Sequence, residues 1–113
     1  MRNVKFDCVV NCDYTPTLTL QQQNVVLNQN GTAWSGSITV AVDQVVLIYC
    51  YVAGANTDPW SLAVTTDCPN GTPDKIYSDG ANLPHGGSYA FYTSAKVPDP
   101  ICGGAAAPAV AVA

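Results

Sequence analysis

The sequence predicts an all-β domain, a small immunoglobulin-like or jelly-roll-like β-sandwich of about six to eight antiparallel strands. Three observations carry this expectation. Val, Thr and Tyr, the branched and aromatic types that suit a pleated and half-buried surface, number fourteen, ten and six. All eight acidic residues are Asp and none is Glu, so helix formers are scarce while the turn formers Asp, Asn, Gly and Pro abound. Apolar runs of strand length recur roughly every 8–12 residues with turn signals between them. At 113 residues the chain has room for one core. The domain is assigned to residues 1–102, and residues 103–113 form a small-residue tail.

Taken in order, Met1 to Thr15 places Val4, Phe6, Cys8, Val10, Cys12 and Tyr14 on one face, the period-two signal of a half-buried strand. Pro16 interrupts it, and a second strand is expected from Thr17 to Leu27. Within Asn28 to Thr32, Asn30-Gly31 signals a hairpin because both residues tolerate positive φ. The returning strand, Ala33 to Val42, turns Trp34, Ile38, Val40 and Val42 to one side. After Asp43-Gln44, Val45 to Val52 is apolar on both sides, which predicts a central strand buried on both faces. A loop from Gly54 to Pro59 leads to Trp60, Leu62 and Val64, which alternate with Ser61, Ala63 and Thr65. Asp67 to Pro84 is turn-rich, Asp79-Gly80 included, with Ile76 and Tyr77 as a short edge strand. Ser88 to Val97 is the last strand, stopped by Pro98-Asp99-Pro100. The expected core comprises Ile38, Val40, Val42, Val46, Ile48, Leu62, Val64 and Phe91.

Charge narrows the partners. The net charge is −4, and Arg2, Lys5, Lys75 and Lys96 are the only cations. Four scattered cations cannot make the basic patch that displaces counterions from nucleic acid, nor one that holds an anionic membrane surface. No apolar run approaches the ~20 residues that span a bilayer. The first residues carry no apolar stretch of roughly 7–15 residues, so a cytoplasmic origin without a secretory leader is expected.

Against that origin stand five cysteines, the candidates for disulfide bonding being Cys8, Cys12, Cys50, Cys68 and Cys102. The odd count leaves at least one thiol unpaired or bridging chains. Two readings stand side by side: the cysteines are small buried thiols, or one or two disulfides form after release by lysis, in which case Cys102, following the last strand, could staple the end of the domain to Cys8 or Cys12. A metal site is not expected. On a strand Cys8 and Cys12 stand about 13 Å apart on one face, no Cys-x-x-Cys knuckle occurs, and no calcium loop is present. No cofactor is implied.

Catalytic readings find little support. His85, the only histidine, could join Ser88 and Asp79, but Leu83 to Gly87 reads as a turn and no Gly-x-Ser-x-Gly elbow occurs. The aspartates fall nearly one per loop, as turn chemistry alone dictates. Asn30-Gly31-Thr32 and Asn70-Gly71-Thr72 match the glycosylation sequon, and the hairpin reading is preferred. Trp34, Trp60, Tyr49, Tyr51, Tyr77, Tyr89 and Tyr92 suit core packing better than a sugar-stacking platform.

The tail, Gly-Gly followed by small apolar residues, cannot pack a core of its own and is best ordered against a neighbouring surface. Ala109, Val110, Ala111, Val112 and Ala113 are the candidate assembly contacts. Their alternation suits strand addition to another subunit. The strand layout resembles that of the immunoglobulin-like and jelly-roll modules of phage particles. That resemblance implies a non-enzymatic virion protein, a capsid decoration or cement protein or a tail-associated protein, whose partners are other protein subunits. The alternatives are an extracellular carbohydrate-binding or adhesive β-sandwich and a filament or pilus-like subunit.

Overall fold

The computed structural model describes residues 1–68, 71–99 and 101. Cys102 and the tail 103–113, with the assembly contacts expected on it, lie outside the described residues. Nine strands follow in chain order: β1 (Arg2–Asn11), β2 (Tyr14–Leu20), β3 (Gln23–Asn24), β4 (Asn28–Asn30), β5 (Ala33–Val42), β6 (Val45–Ala53), β7 (Pro59–Thr66), β8 (Lys75–Asn82) and β9 (Ser88–Lys96). They form a five-stranded sheet, β4-β5-β1-β7-β8, and a four-stranded sheet, β3-β2-β6-β9. Every pairing is antiparallel. The protein is an all-β sandwich.

Alternation explains why these segments pair as they do. In β1 the even-numbered residues Val4, Phe6, Cys8 and Val10 are buried, and the residues between them face outward. Phe6 and Val10, Val40 and Val42 of β5, and Leu62 and Val64 of β7 make one inner face. Leu18 and Leu20 of β2 with Val46, Ile48 and Val52 of β6 make the other, and none of these eleven is more than 2% exposed. Burying each such side chain contributes roughly 1.5–3 kcal/mol, so the two inner faces hold the sheets together. Ile38 and Phe91, expected in the core, are half-buried against its rim.

Several local expectations give way. Pro16 does not end a strand; it is buried inside β2, where the register shifts between Tyr14 and Thr17. Such a bulge tolerates a residue that cannot donate to the ladder. The expected strand from Thr17 to Leu27 breaks instead at Gln21 and Gln22, both at positive φ (51° and 65°) between the paired Leu20 and Gln23. These φ values suit a type I′ turn, which favours Asn or Gly, and Gln21 holds it from outside. Its amide NH and side-chain oxygen bond to the carbonyl and NH of Leu47 at 2.9 and 2.7 Å, and its Nε2 donates to the Ala41 carbonyl. The Asn-Gly hairpin closes one residue later than expected, over Gly31-Thr32, with Gly31 at φ 67°. On β5, Gly36 lies under the Val26 carbonyl, which occupies the place a side chain would need. Finally, Asp79-Gly80 is no turn: it lies within β8, an eight-residue edge strand.

Candidate interaction face

The largest departure from expectation concerns β6. Its inward residues Val46, Ile48, Cys50 and Val52 are at most 1% exposed. Its outward residues were expected to be covered as well. They are not. Val45 is 45% and Leu47 48% exposed, and Tyr49 and Tyr51 are half-buried. The reason is architectural, since a sandwich supplies a cover for one face of each sheet only.

Neighbouring strands extend this outer face. On β9, Ser94, Tyr92 and Ala90 pair with Leu47, Tyr49 and Tyr51. On β2, Thr19 and Thr17 pair with Tyr49 and Tyr51 from the other side. The Tyr49 and Tyr92 rings meet with centroids 4.6 Å apart, and Tyr92 is 83% exposed. Beside them a hollow of about 120 Å³ is bordered by Thr19, Gln22, Leu47, Tyr49 and Tyr92. From Thr17 to Ser94 these positions carry hydroxyls, rings and aliphatic groups, and no charge. Lys96, opposite Val45, marks its end. β9 is also the edge of its sheet, nine residues long, so its outer backbone groups have no strand partner among the described residues.

The remaining sequence candidates fall elsewhere. Tyr77, Tyr89 and Phe91 gather with Trp60 at the side of the sandwich where β8 and β9 are the edges, ring centroids 5.5–6.2 Å apart. Trp34 is buried, its Nε1 donating to the Cys12 carbonyl at 3.0 Å. His85, Ser88 and Asp79 are not brought together as a triad. His85 Nδ1 faces the Asn56 amide at 3.4 Å, and Asp79 accepts from the Tyr77 hydroxyl and the Gly80 NH. Asp58 has its carboxyl pushed up, first by a hydrogen bond with Asp13. Among the described residues no group of three His, Cys or Asp side chains is placed to hold a metal ion.

The cysteines correct one expectation outright. Cys8, Cys12 and Cys50 are free thiols enclosed between the sheets, so Cys102 is not stapled to Cys8 or Cys12. The inward register of β1 and β6 buries Cys8 and Cys50, and Cys12, buried just beyond β1, has its Sγ 3.1 Å from the Tyr14 carbonyl. Burial pushes the Cys8 and Cys50 thiols up to about 12, and raises Cys12 as well. Such thiols are poor nucleophiles and poor metal ligands. Cys68, buried just beyond β7, does not belong to the free set; its Sγ lies 3.2 Å from the Thr66 hydroxyl.

No protein-family model, curated protein or solved structure matches this chain. The sequence signal that could have found the outer face was the unbroken apolar run Val45 to Val52, read with the number of covering layers in mind.

Proposed function

We propose that this chain is a non-enzymatic structural subunit that docks on neighbouring protein subunits through the outer face of its four-stranded sheet. One observation carries the reading: β6 and β9 present Leu47, Tyr49, Tyr51 and Tyr92 outward on an uncharged surface. Interface cores are enriched in aromatic residues and depleted of charge, and desolvated Tyr residues are frequent anchors. The open edge of β9 adds a row of backbone donors and acceptors to which another subunit's strand can pair. The setting we propose is a virion, with the chain as a capsid decoration or tail-associated protein. A charge-poor chain with so few cations suits contact with protein rather than nucleic acid.

The test is occupancy. Density-banded virus particles from the native source should contain the chain in stoichiometric amount by mass spectrometry. Particles assembled with the Leu47→Lys, Tyr92→Lys double variant should lose it. Absence from banded particles rejects the virion setting, and full occupancy by the variant rejects this face as the contact.

A further inference from the structure

On the side of the sandwich where β8 and β9 are the edge strands, away from the outer face, the inner layer opens to solvent. Register puts Tyr77, Asp79 and Ala81 of β8 on the same face as Val64, Leu62 and Trp60 of β7. Leu62 is 1% exposed, so Asp79 places a carboxylate at a position whose strand neighbour belongs to the core. Across the opening stands Tyr89 of β9, an inward position by its pairing with Val52, yet 43% exposed. The result is a pocket of about 240 Å³ lined by Trp60, Asp79, Ala81, Asn82, Pro84 and Tyr89.

We propose that this pocket binds one neutral pyranose ring of a glycan. Two chemistries converge there. Tyr89 offers a ring face whose tilt is set by packing on Trp60 and Phe91, each at 5.6 Å and inclined by about 30°. A pyranose presents a flat C–H face that stacks on such a ring, burying apolar area without losing its hydroxyls. Those hydroxyls meet Asp79 and Asn82. Asp79 Oδ2 accepts from the Tyr77 hydroxyl at 3.2 Å and Oδ1 from the Gly80 NH at 2.8 Å, which hold the carboxylate in place. Each oxygen keeps lone-pair capacity for a sugar hydroxyl, and the Asn82 amide supplies both donors and an acceptor. Asp79 makes no ion pair among the described residues. With the net charge of −4 it disfavours acidic sugars. The pocket is smaller than the about 300–1,000 Å³ typical of drug-sized ligands, which matches a single ring. An organic cation fits less well, because the rings pack against one another and leave no space between them to enclose it.

The site does not depend on the docking face, and one titration separates them. The full chain, labelled with ¹⁵N, is titrated with the methyl glycosides of glucose, galactose, mannose and N-acetylglucosamine, and with choline chloride. At least one glycoside should give saturable shifts at the Trp60 indole NH and the Asn82 amide, with Kd of about a millimolar. Tyr89→Ala and Asp79→Asn should each weaken that binding by about tenfold or more, and Tyr92→Ala should leave it unchanged. Tyr89→Phe, which keeps the ring, should keep binding and covers the case in which the alanine variant unfolds. Shifts from none of the four glycosides, saturation by choline instead, or loss of binding in Tyr92→Ala would each overturn the proposal.

Discussion

The two sheets are alike on the inside and unlike on the outside. The outer face of the five-stranded sheet carries Lys5, Asp7, Ser35, Ser37, Thr39, Ser61 and Thr65, small or charged groups content in water, with Val9, 37% exposed, among them. Lys5 even finds its own partner in Asp67, at 3.3 Å. The outer face of the four-stranded sheet carries Leu47, Tyr49, Tyr51 and Tyr92 with no charge among them. Both faces satisfy the strand alternation that builds the sandwich, so folding alone does not explain the contrast. The first kind of surface suits water alone, and the second is the kind that the proposed docking would bury.

Each expectation below probes that contrast. The largest effects belong to the inside, where the sheets should be equivalent. Leu62→Ala and Ile48→Ala, one from each inner face, should each cost about 2–5 kcal/mol in urea unfolding. A marked inequality would mean that the sheets differ inside as well as out. Next comes the tie between them. With Cys8, Cys12 and Cys50 free, any disulfide within this chain joins Cys68, beyond β7, to Cys102, beyond β9. Peptide mapping without reductant should find that link, and removing a closed loop of about 35 residues should cost about 3–4 kcal/mol.

The buried thiols give a pH signature. The folded values for Cys8 and Cys50 lie near about 12, above the unfolded value of 9.0, so the folded state holds its protons longer. Their contribution is therefore complete below pH 9 and is lost as pH rises toward 12, by up to about 1.4 kcal/mol per pH unit for each thiol. Unfolding followed across that window should show the slope, and Cys50→Ala should flatten it. Smaller still are the outer faces. Leu47→Lys with Tyr92→Lys should change stability by about 1 kcal/mol or less while abolishing docking, whereas Ser37→Lys should change neither. Smallest is Lys5→Ala, at about 0–1 kcal/mol, an effect that should vanish in molar salt.

Much of the fold was legible because period-two alternation states directly which residues face inward. β5 and β7 follow from it almost to the residue, whereas the strand read from Met1 to Thr15 ends at Asn11, and Tyr14, 59% exposed, opens β2 in the other sheet. The outer face of β6 was misread for a physical reason: the run Val45 to Val52 says that both sides are apolar, but not what covers the second side. A neighbouring chain and a second layer of the same chain leave the same mark. The Gln21-Gln22 turn escaped because no residue with intrinsic turn preference stands there; the bonds from Gln21 to Leu47 and Ala41 hold it. Trp60 and Tyr89 lie far apart in sequence and in different sheets, so no local pattern could assemble their pocket.

β1 sits at the centre of its sheet, yet it pairs with β5 and β7 alone. In the order of synthesis it therefore emerges early and cannot complete its pairing until residue 66 has followed. At about 5–20 residues per second, that wait lasts roughly 3–12 seconds. β5 can pair with one side of β1 once residue 42 has emerged, but the β7 side of the strand that carries Cys8 has no partner until the wait ends, and such long-range pairing is intrinsically slow to form. Codon choice between β5 and β7 thereby acquires a folding role, for slower elongation there lengthens the interval in which this strand can find the wrong neighbour.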